Sequence, residues 1–128
     1  MTADLPGPAG WSGPYDPEQY LQAVSEIEAF DTWADAVGMR DPAIRALWLA
    51  IARADLAGEP LTTADLYQRT GVSRYVVSRM VRRWASQKLL VAERNPLNQR
   101  HTIVCLTKDG RRYLMKALEA VIERNISV

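Results

Sequence analysis

One cysteine, Cys105, and one histidine, His101, are all that this chain holds of the two residue types most used in nucleophilic and metal chemistry. A single cysteine excludes an intrachain disulfide. His101 and Cys105 fall on one face of a strand, but four residues of strand separate them by about 13 Å, too far to share a metal ion. There is no second cysteine for a C-x-x-C pair, no H-E-x-x-H helix and no G-x-x-x-x-G-K-[ST] phosphate loop. No apolar run reaches the ~18–20 residues that span a bilayer. The N-terminus lacks the basic stretch and apolar core of a secretory leader. These absences argue against a metalloenzyme, a Ser-His-Asp hydrolase and a membrane protein, and they point to a reduced, cytoplasmic compartment. No catalytic residue, metal ligand or cofactor is expected.

What is present is charge, and it is segregated. Between Leu66 and His101 stand Arg69, Arg74, Arg79, Arg82, Arg83, Lys88, Arg94 and Arg100 against one acid, Glu93, a local charge of +7. Residues 1–65 hold 3 basic and 11 acidic residues and residues 102–128 hold 5 and 3, so the +1 of the whole chain hides the asymmetry. A concentrated basic segment is an electrostatic footprint for a polyanion, of which nucleic acid is the commonest. A basic stretch is also often no more than a solvated face, so the pattern it sits on decides its meaning.

Residues 1–14 are rich in Pro and Gly and read as a flexible tail, in which Trp11 either docks on a neighbouring surface or is exposed, exposure being the reading preferred here. Residues 15–128 read as one domain. Asp16-Pro17-Glu18-Gln19 starts a first helix with a cap, a proline at the first helical position and a glutamine able to reach back. Tyr20, Val24, Ile27, Phe30, Ala34 and Val37 then form an apolar stripe up to Gly38, opposite an acidic face of Glu18, Glu26, Glu28, Asp31 and Asp35. Asp41-Pro42 opens a second helix that ends at Gly58. Thr62 caps a short third helix, with Asp65 at its acidic N3 position and its end near Thr70-Gly71. Ser73 caps a fourth, from Arg74 to about Lys88. Leu90–Arg94 and Arg100–Leu106 read as strands across an Asn95–Gln99 turn, and Thr107 caps a last long helix. The fold class is mainly α with a small β-wing, in the order α-α-α-α-β-β-α with a short strand near Leu61.

A short helix, a tight glycine turn and a second helix with an Arg/Ser/Tyr outer face form a helix-turn-helix. Gly71 accepts the sharp turn, and Val72 and Val77 pin the helices together. That arrangement leaves Arg74, Tyr75, Ser78, Arg79 and Arg82 facing outward, where an arginine can donate twice to guanine O6 and N7. Ser73 presents backbone N–H groups to a phosphate. Thr62, Arg94, Asn98 and Arg100 complete the expected DNA-binding set.

The hairpin that follows sharpens the pattern. Residues 61–114 resemble the winged helix-turn-helix of the MarR family of transcriptional regulators. The resemblance lies in Leu61-Thr62 with Leu66, in Gly71-Val72-Ser73, in Val77, Arg79 and Val81, and in Leu90-Val91. The wing Asn95-Pro96-Leu97-Asn98-Gln99-Arg100 resembles the family's D-P-x-D-x-R, and Leu106-Thr107 with Gly110-Arg111 matches its L-T-x-x-G-R. The resemblance implies a homodimer intertwined through its terminal helices, residues 15–38 and 107–128. It implies recognition helices in successive major grooves and the wing (within residues 61–106) reaching a minor groove with Arg100. It also implies a regulator of transcription, commonly a repressor. Three departures stand out: both wing aspartates are asparagines, Leu89 stands where a glycine often ends the recognition helix, and that helix carries the bulky Tyr75 and Trp84.

Two further readings stay open at this stage. Tyr20, Phe30, Trp33 and Trp48 are a candidate lining for a small-molecule effector pocket, although the same helical spacing suits plain core or a dimer interface. The acidic first half also suits an alternative role for the same fold, a protein-interaction module or phage- or plasmid-type accessory protein. Cys105 reads as a half-buried strand residue rather than a redox sensor.

Overall fold

The computed structural model describes residues 8–11, 13–29, 40–95 and 98–126. Helix α1 runs Pro17–Ala29, α2 Pro42–Ala57, α3 Thr63–Thr70, α4 Arg74–Ser86 and α5 Lys108–Ile126. Strand β1 is Leu61–Thr62, β2 Leu90–Asn95 and β3 Asn98–Leu106, and a 3-10 turn occupies Pro8–Trp11.

The helix boundaries follow from local chemistry. Asp41 accepts from the Ala43 and Ile44 amides at 2.9 and 3.2 Å, Pro42 occupies the first turn, and Gly58 closes α2 at φ 70°. Thr62 and Asp65 form a reciprocal capping box on α3, each backbone N–H donating to the other's side chain at 3.0 and 3.1 Å. The Asp16 amide donates to Gln19 Oε1 at 2.9 Å at the start of α1. Caps of this kind stabilise a helix by about 1 kcal/mol each.

One buried core joins the elements. Tyr20, Val24 and Ile27 of α1 and Leu114, Leu118, Val121 and Ile122 of α5 are buried, as are Leu47, Trp48 and Ile51 of α2. The sheet is antiparallel in the order β1-β3-β2, with Leu61 opposite Val104 and Leu90 opposite Leu106. Val104 and Leu106 face the core.

The Leu106-Thr107-x-x-Gly110-Arg111 stretch has a separate physical reason at each position. Leu106 is buried. Thr107 Oγ1 accepts from the Gly110 amide at 3.0 Å and donates to the Lys88 carbonyl at 2.7 Å, which ties the start of α5 to the end of α4. A Cβ on Gly110 would overlap the Leu89 carbonyl oxygen. Arg111 is buried against Asp55 of α2.

The structure departs from the sequence reading in three places, and one further expectation lies outside the described residues. Trp11 is not exposed: it is 0% accessible, and its indole N–H donates to Asp55 Oδ2 at 2.6 Å. The Pro8–Trp11 turn is therefore packed on the body, within the stretch expected to be a flexible tail. Helix α1 is described to Ala29, and the rest of its expected span, with Phe30, Trp33, Asp31 and Asp35, lies outside the described residues. Its acidic face is partly engaged within the fold, since Glu26 accepts from Asn125 at 2.6 Å and Glu28 pairs with Arg53. Finally, α4 ends at Ser86, and a left-handed residue does follow it. Lys88 takes φ 62°, and the Leu89 amide returns to the Trp84 carbonyl at 3.0 Å. The left-handed cap falls one residue earlier than the sequence comparison suggests, on a lysine instead of a glycine.

Candidate nucleic-acid interface

The turn between α3 and α4 is held by its own short side chains. Gly71 sits at φ 74° with open space around its Cα, so the requirement there is backbone conformation. Thr70 Oγ1 donates to the Leu66 carbonyl at 2.5 Å and accepts from the Val72 amide at 3.2 Å. Ser73 Oγ then accepts from the Val76 amide at 3.2 Å and starts α4.

The inner face of α4 is anchored by Val77, Met80, Val81 and Trp84, all buried. Trp84 lies 4.1 Å from Trp48 of α2, and Trp48 stacks on Tyr113 of α5 at 5.5 Å and 18°. This aromatic column fixes α4 against the two helices behind it. The opposite face carries Arg74, Tyr75, Ser78, Arg79, Arg82, Arg83 and Ser86, all exposed. Six of them, from Tyr75 to Ser86, line an open groove of about 500 Å³.

Two arginines on this face are positioned by rings. The Arg74 guanidinium lies 4.9 Å from the Tyr67 ring centre on α3, and the Arg79 guanidinium lies 5.6 Å from that of Tyr75. Among the described residues, Arg74, Arg79, Arg82 and Arg83 have no carboxylate partner, whereas Arg69 is 3.8 Å from Glu59. Unpaired guanidinia on one face leave a positive field for an incoming polyanion.

The remaining expected site residues are placed as follows. Thr62 is committed to its capping box on α3. Arg94 is exposed on β2, opposite Thr102. Asn95 pairs with Asn98, so the register breaks at this end of the hairpin, and Gln99, Arg100 and His101 fall between the paired positions of β3. The backbones of Asn98 and Arg100 belong to β3, and their side chains lie outside the described residues. Sequence reasoning left out Arg83 and Ser86, although the i, i+4 step from Arg79 and the i, i+3 step from Arg83 carry the face onward to them. It also left out Tyr67, the shelf under Arg74.

Of the aromatic set, Tyr20 and Trp48 are both buried in the core. Tyr20 packs edge-on to Trp11 at 5.5 Å and Tyr15 at 6.2 Å, and Trp48 packs on Trp84 and Tyr113. Phe30 and Trp33 lie outside the described residues. Burial, then the nearby carboxylates of Glu93 and Asp55, push the Cys105 thiol up, away from the thiolate form that reactivity needs.

Helix α2, a helix-turn-helix and a two-stranded hairpin bracketed by α5 define a winged helix-turn-helix domain. The chain matches the MarR family over residues 38–101, half of its length, and belongs to that family. It is 40% identical over 58 residues to the HTH-type transcriptional regulator TcaR of Staphylococcus aureus (strain Newman), a stretch covering 44% of this chain and 38% of that protein. The chain thus spans well under half the length of this curated relative. Its fold is similar to that of an S. aureus MepR mutant bound to an oligodeoxyribonucleotide, with TM-score 0.57, 17% identity and coverage of 86% of this chain and 72% of that one. A MarR mutant from E. coli is similar at TM-score 0.57 and 15% identity, covering 91% and 85%. Bordetella bronchiseptica BpsR, whose DNA binding is regulated by 6-hydroxynicotinic acid, is similar at TM-score 0.52 and 19% identity, covering 86% and 77%.

Proposed function

We propose that this chain is a sequence-specific double-stranded DNA-binding regulator of transcription, acting as a repressor in the cytoplasm and not as an enzyme. It binds as a homodimer, with α4 in the major groove and the β2–β3 wing in the minor groove. The observation that carries this is the outer face of α4. It is a continuous exposed surface of arginine, serine and tyrosine without a carboxylate partner among the described residues, held rigidly from behind by the Trp84–Trp48–Tyr113 column.

Each part of the face has a role in such a complex. Ser73 and the first amides of α4, with Arg74, meet phosphate. Ser78, Arg79 and Arg82 reach base edges or the flanking backbone. Arg94, Asn98 and Arg100 act from the wing, where a narrow minor groove concentrates negative potential. Exposed Leu21 on α1 and Ile126 on α5 support a dimer through the terminal helices, because a second copy would cover them. Occupying an operator with such a dimer blocks access to the DNA beneath it. The BpsR relative supports a small-molecule effector as a further partner, and Tyr20, Phe30, Trp33 and Trp48 are the residues first to be tested for it.

Selection of bound sequences from a random duplex pool tests the proposal. It should return an inverted repeat with half-sites about one helical turn, roughly 34–36 Å, apart. Light scattering should give twice the chain mass. Recovery of single non-palindromic motifs, or a monomer mass at tens of micromolar, would overturn the dimeric regulator.

A further inference from the structure

We infer that Tyr75 and Arg79 form one reading unit that selects a thymine next to a guanine in the major groove, with Arg74 reserved for phosphate. The inference rests on the proposed function and specifies what its recognition helix reads.

Tyr75 is 73% exposed, on the outside of the helix, and the Arg79 guanidinium lies over its ring, 5.6 Å from the ring centre. The two residues are one helical turn apart, so their side chains leave the helix side by side. A guanidinium held over a ring uses its face for the contact. Its N–H groups lie in its own plane, and their outer edge stays free to donate in pairs. Guanine offers the matching pair of acceptors, O6 and N7, in the major groove. The ring also restricts the rotamers of Arg79, so less freedom is lost when a base is bound.

The ring itself has no acceptor or donor except its hydroxyl. Its broad apolar surface suits the one apolar feature of a base-pair edge in the major groove, the thymine C5-methyl. Arg79 and Tyr75 lie within cation–π distance of each other, so the two features they meet belong to neighbouring base pairs. Arg74 is held differently. It is drawn towards Tyr67 on α3 at 4.9 Å, beside the Ser73 cap, and that is a place for a phosphate oxygen.

The test uses the full chain and the duplex it selects, synthesised with dT or dU at each thymine of the half-site. The dU duplex lacks only the methyl group. Parent protein should bind one dT position about fourfold more tightly than dU, the effect of one lost methyl contact. Tyr75→Phe should keep that ratio, and Tyr75→Ala should bring it to one. Tyr75→Ala should also weaken discrimination at the adjacent guanine several-fold, because Arg79 loses its shelf. Tyr75 is largely exposed and outside the core cluster of the described residues, so the thermal melting of Tyr75→Ala should match that of the parent. The inference is overturned if the parent binds dT and dU alike at every position, or if Tyr75→Ala keeps the ratio, even though the protein binds its operator. Failure of the parent to bind any duplex would overturn the proposed function, and the inference with it.

Discussion

Arg111 of α5 meets Asp55 of α2 through two nitrogens, Nε at 2.8 Å from Oδ2 and Nη2 at 3.1 Å from Oδ1, with both side chains almost free of solvent. The bidentate pair links the last helix to the helix that opens the DNA-binding body. Breaking a buried pair strands the other charge in a poor solvent. Arg111→Ala and Asp55→Ala should each lower stability by about 3–5 kcal/mol in denaturant melts. If the pair acts as a unit, the double variant should cost clearly less than the sum of the two, which a double-mutant cycle reads directly.

Trp11 completes that cluster by donating to the same Asp55 oxygen as Arg111 Nε. Trp11→Ala should cost about 3–5 kcal/mol, as removal of a large buried ring does. Trp11→Phe keeps most of the packing and should lose about 1.5–3 kcal/mol for the hydrogen bond to a charged group. Equilibrium unfolding of the two variants checks this. Unchanged stability in both would mean that the Pro8–Trp11 turn is not bound to the body in solution.

Gly110→Ala should be among the most damaging single-methyl additions in the chain. The new carbon would overlap a backbone oxygen, that of Leu89, and backbone cannot rotate away as a side chain can. A loss of about 3 kcal/mol, at the upper end of ordinary overpacking, is expected in the same melts. By contrast, Gly71→Ala meets no atom within 4 Å and suffers only from its φ of 74°, so its cost should be smaller, about 1–2 kcal/mol.

Tyr20 gives the fold a pH dependence. Its hydroxyl donates to Glu119 at 2.7 Å, and burial, followed by the Glu119 hydrogen bond and charge, raises its pKa far above the ordinary value of 10.0. In the unfolded chain the phenol ionises near pH 10, but in the fold it does not. The stabilisation is therefore fully present below about pH 10 and is lost as pH rises beyond it. Tyr20→Phe should remove that fall in stability between about pH 10 and pH 11.5, as seen in urea midpoints across the range. An unchanged pH profile in Tyr20→Phe would contradict the assignment.

Much of the architecture was legible in the sequence because it is local. Asp41, Thr62, Ser73 and Thr107 cap helices through amides two to three residues away, and Gly58 and Gly71 end helices through their own φ. The first turns of the outer face of α4 were legible for the same reason, since residues three and four apart share a side, although the reading stopped short of Arg83 and Ser86. What was not legible depends on distant partners. Trp11 looks like part of a Pro/Gly-rich tail until the fold brings to it Asp55, 44 residues along the chain, and Arg111, 56 residues beyond Asp55. Glu26 reads as solvated until α5 brings Asn125 beside it. The left-handed Lys88 is set by the Thr107 and Leu89 contacts that lock the end of α4 to the start of α5, which no helix-end rule anticipates for a lysine.

The most direct test of the central claim is the salt dependence of duplex binding for the parent, Arg79→Ala, Arg100→Ala and Glu18→Gln. A dimer that neutralises several phosphates should lose affinity steeply between about 50 and about 200 mM salt, by about a thousandfold or more. Arg79→Ala should cost about 1–3 kcal/mol and relax preference at one position per half-site. Arg100→Ala should weaken all sequences alike and flatten the log–log slope by about 1.8 per dimer, at about 0.9 per phosphate. Glu18→Gln, exposed on α1 away from α4, should bind like the parent. Duplex binding that is absent, or that is insensitive to salt and unchanged in both arginine variants, would contradict the account.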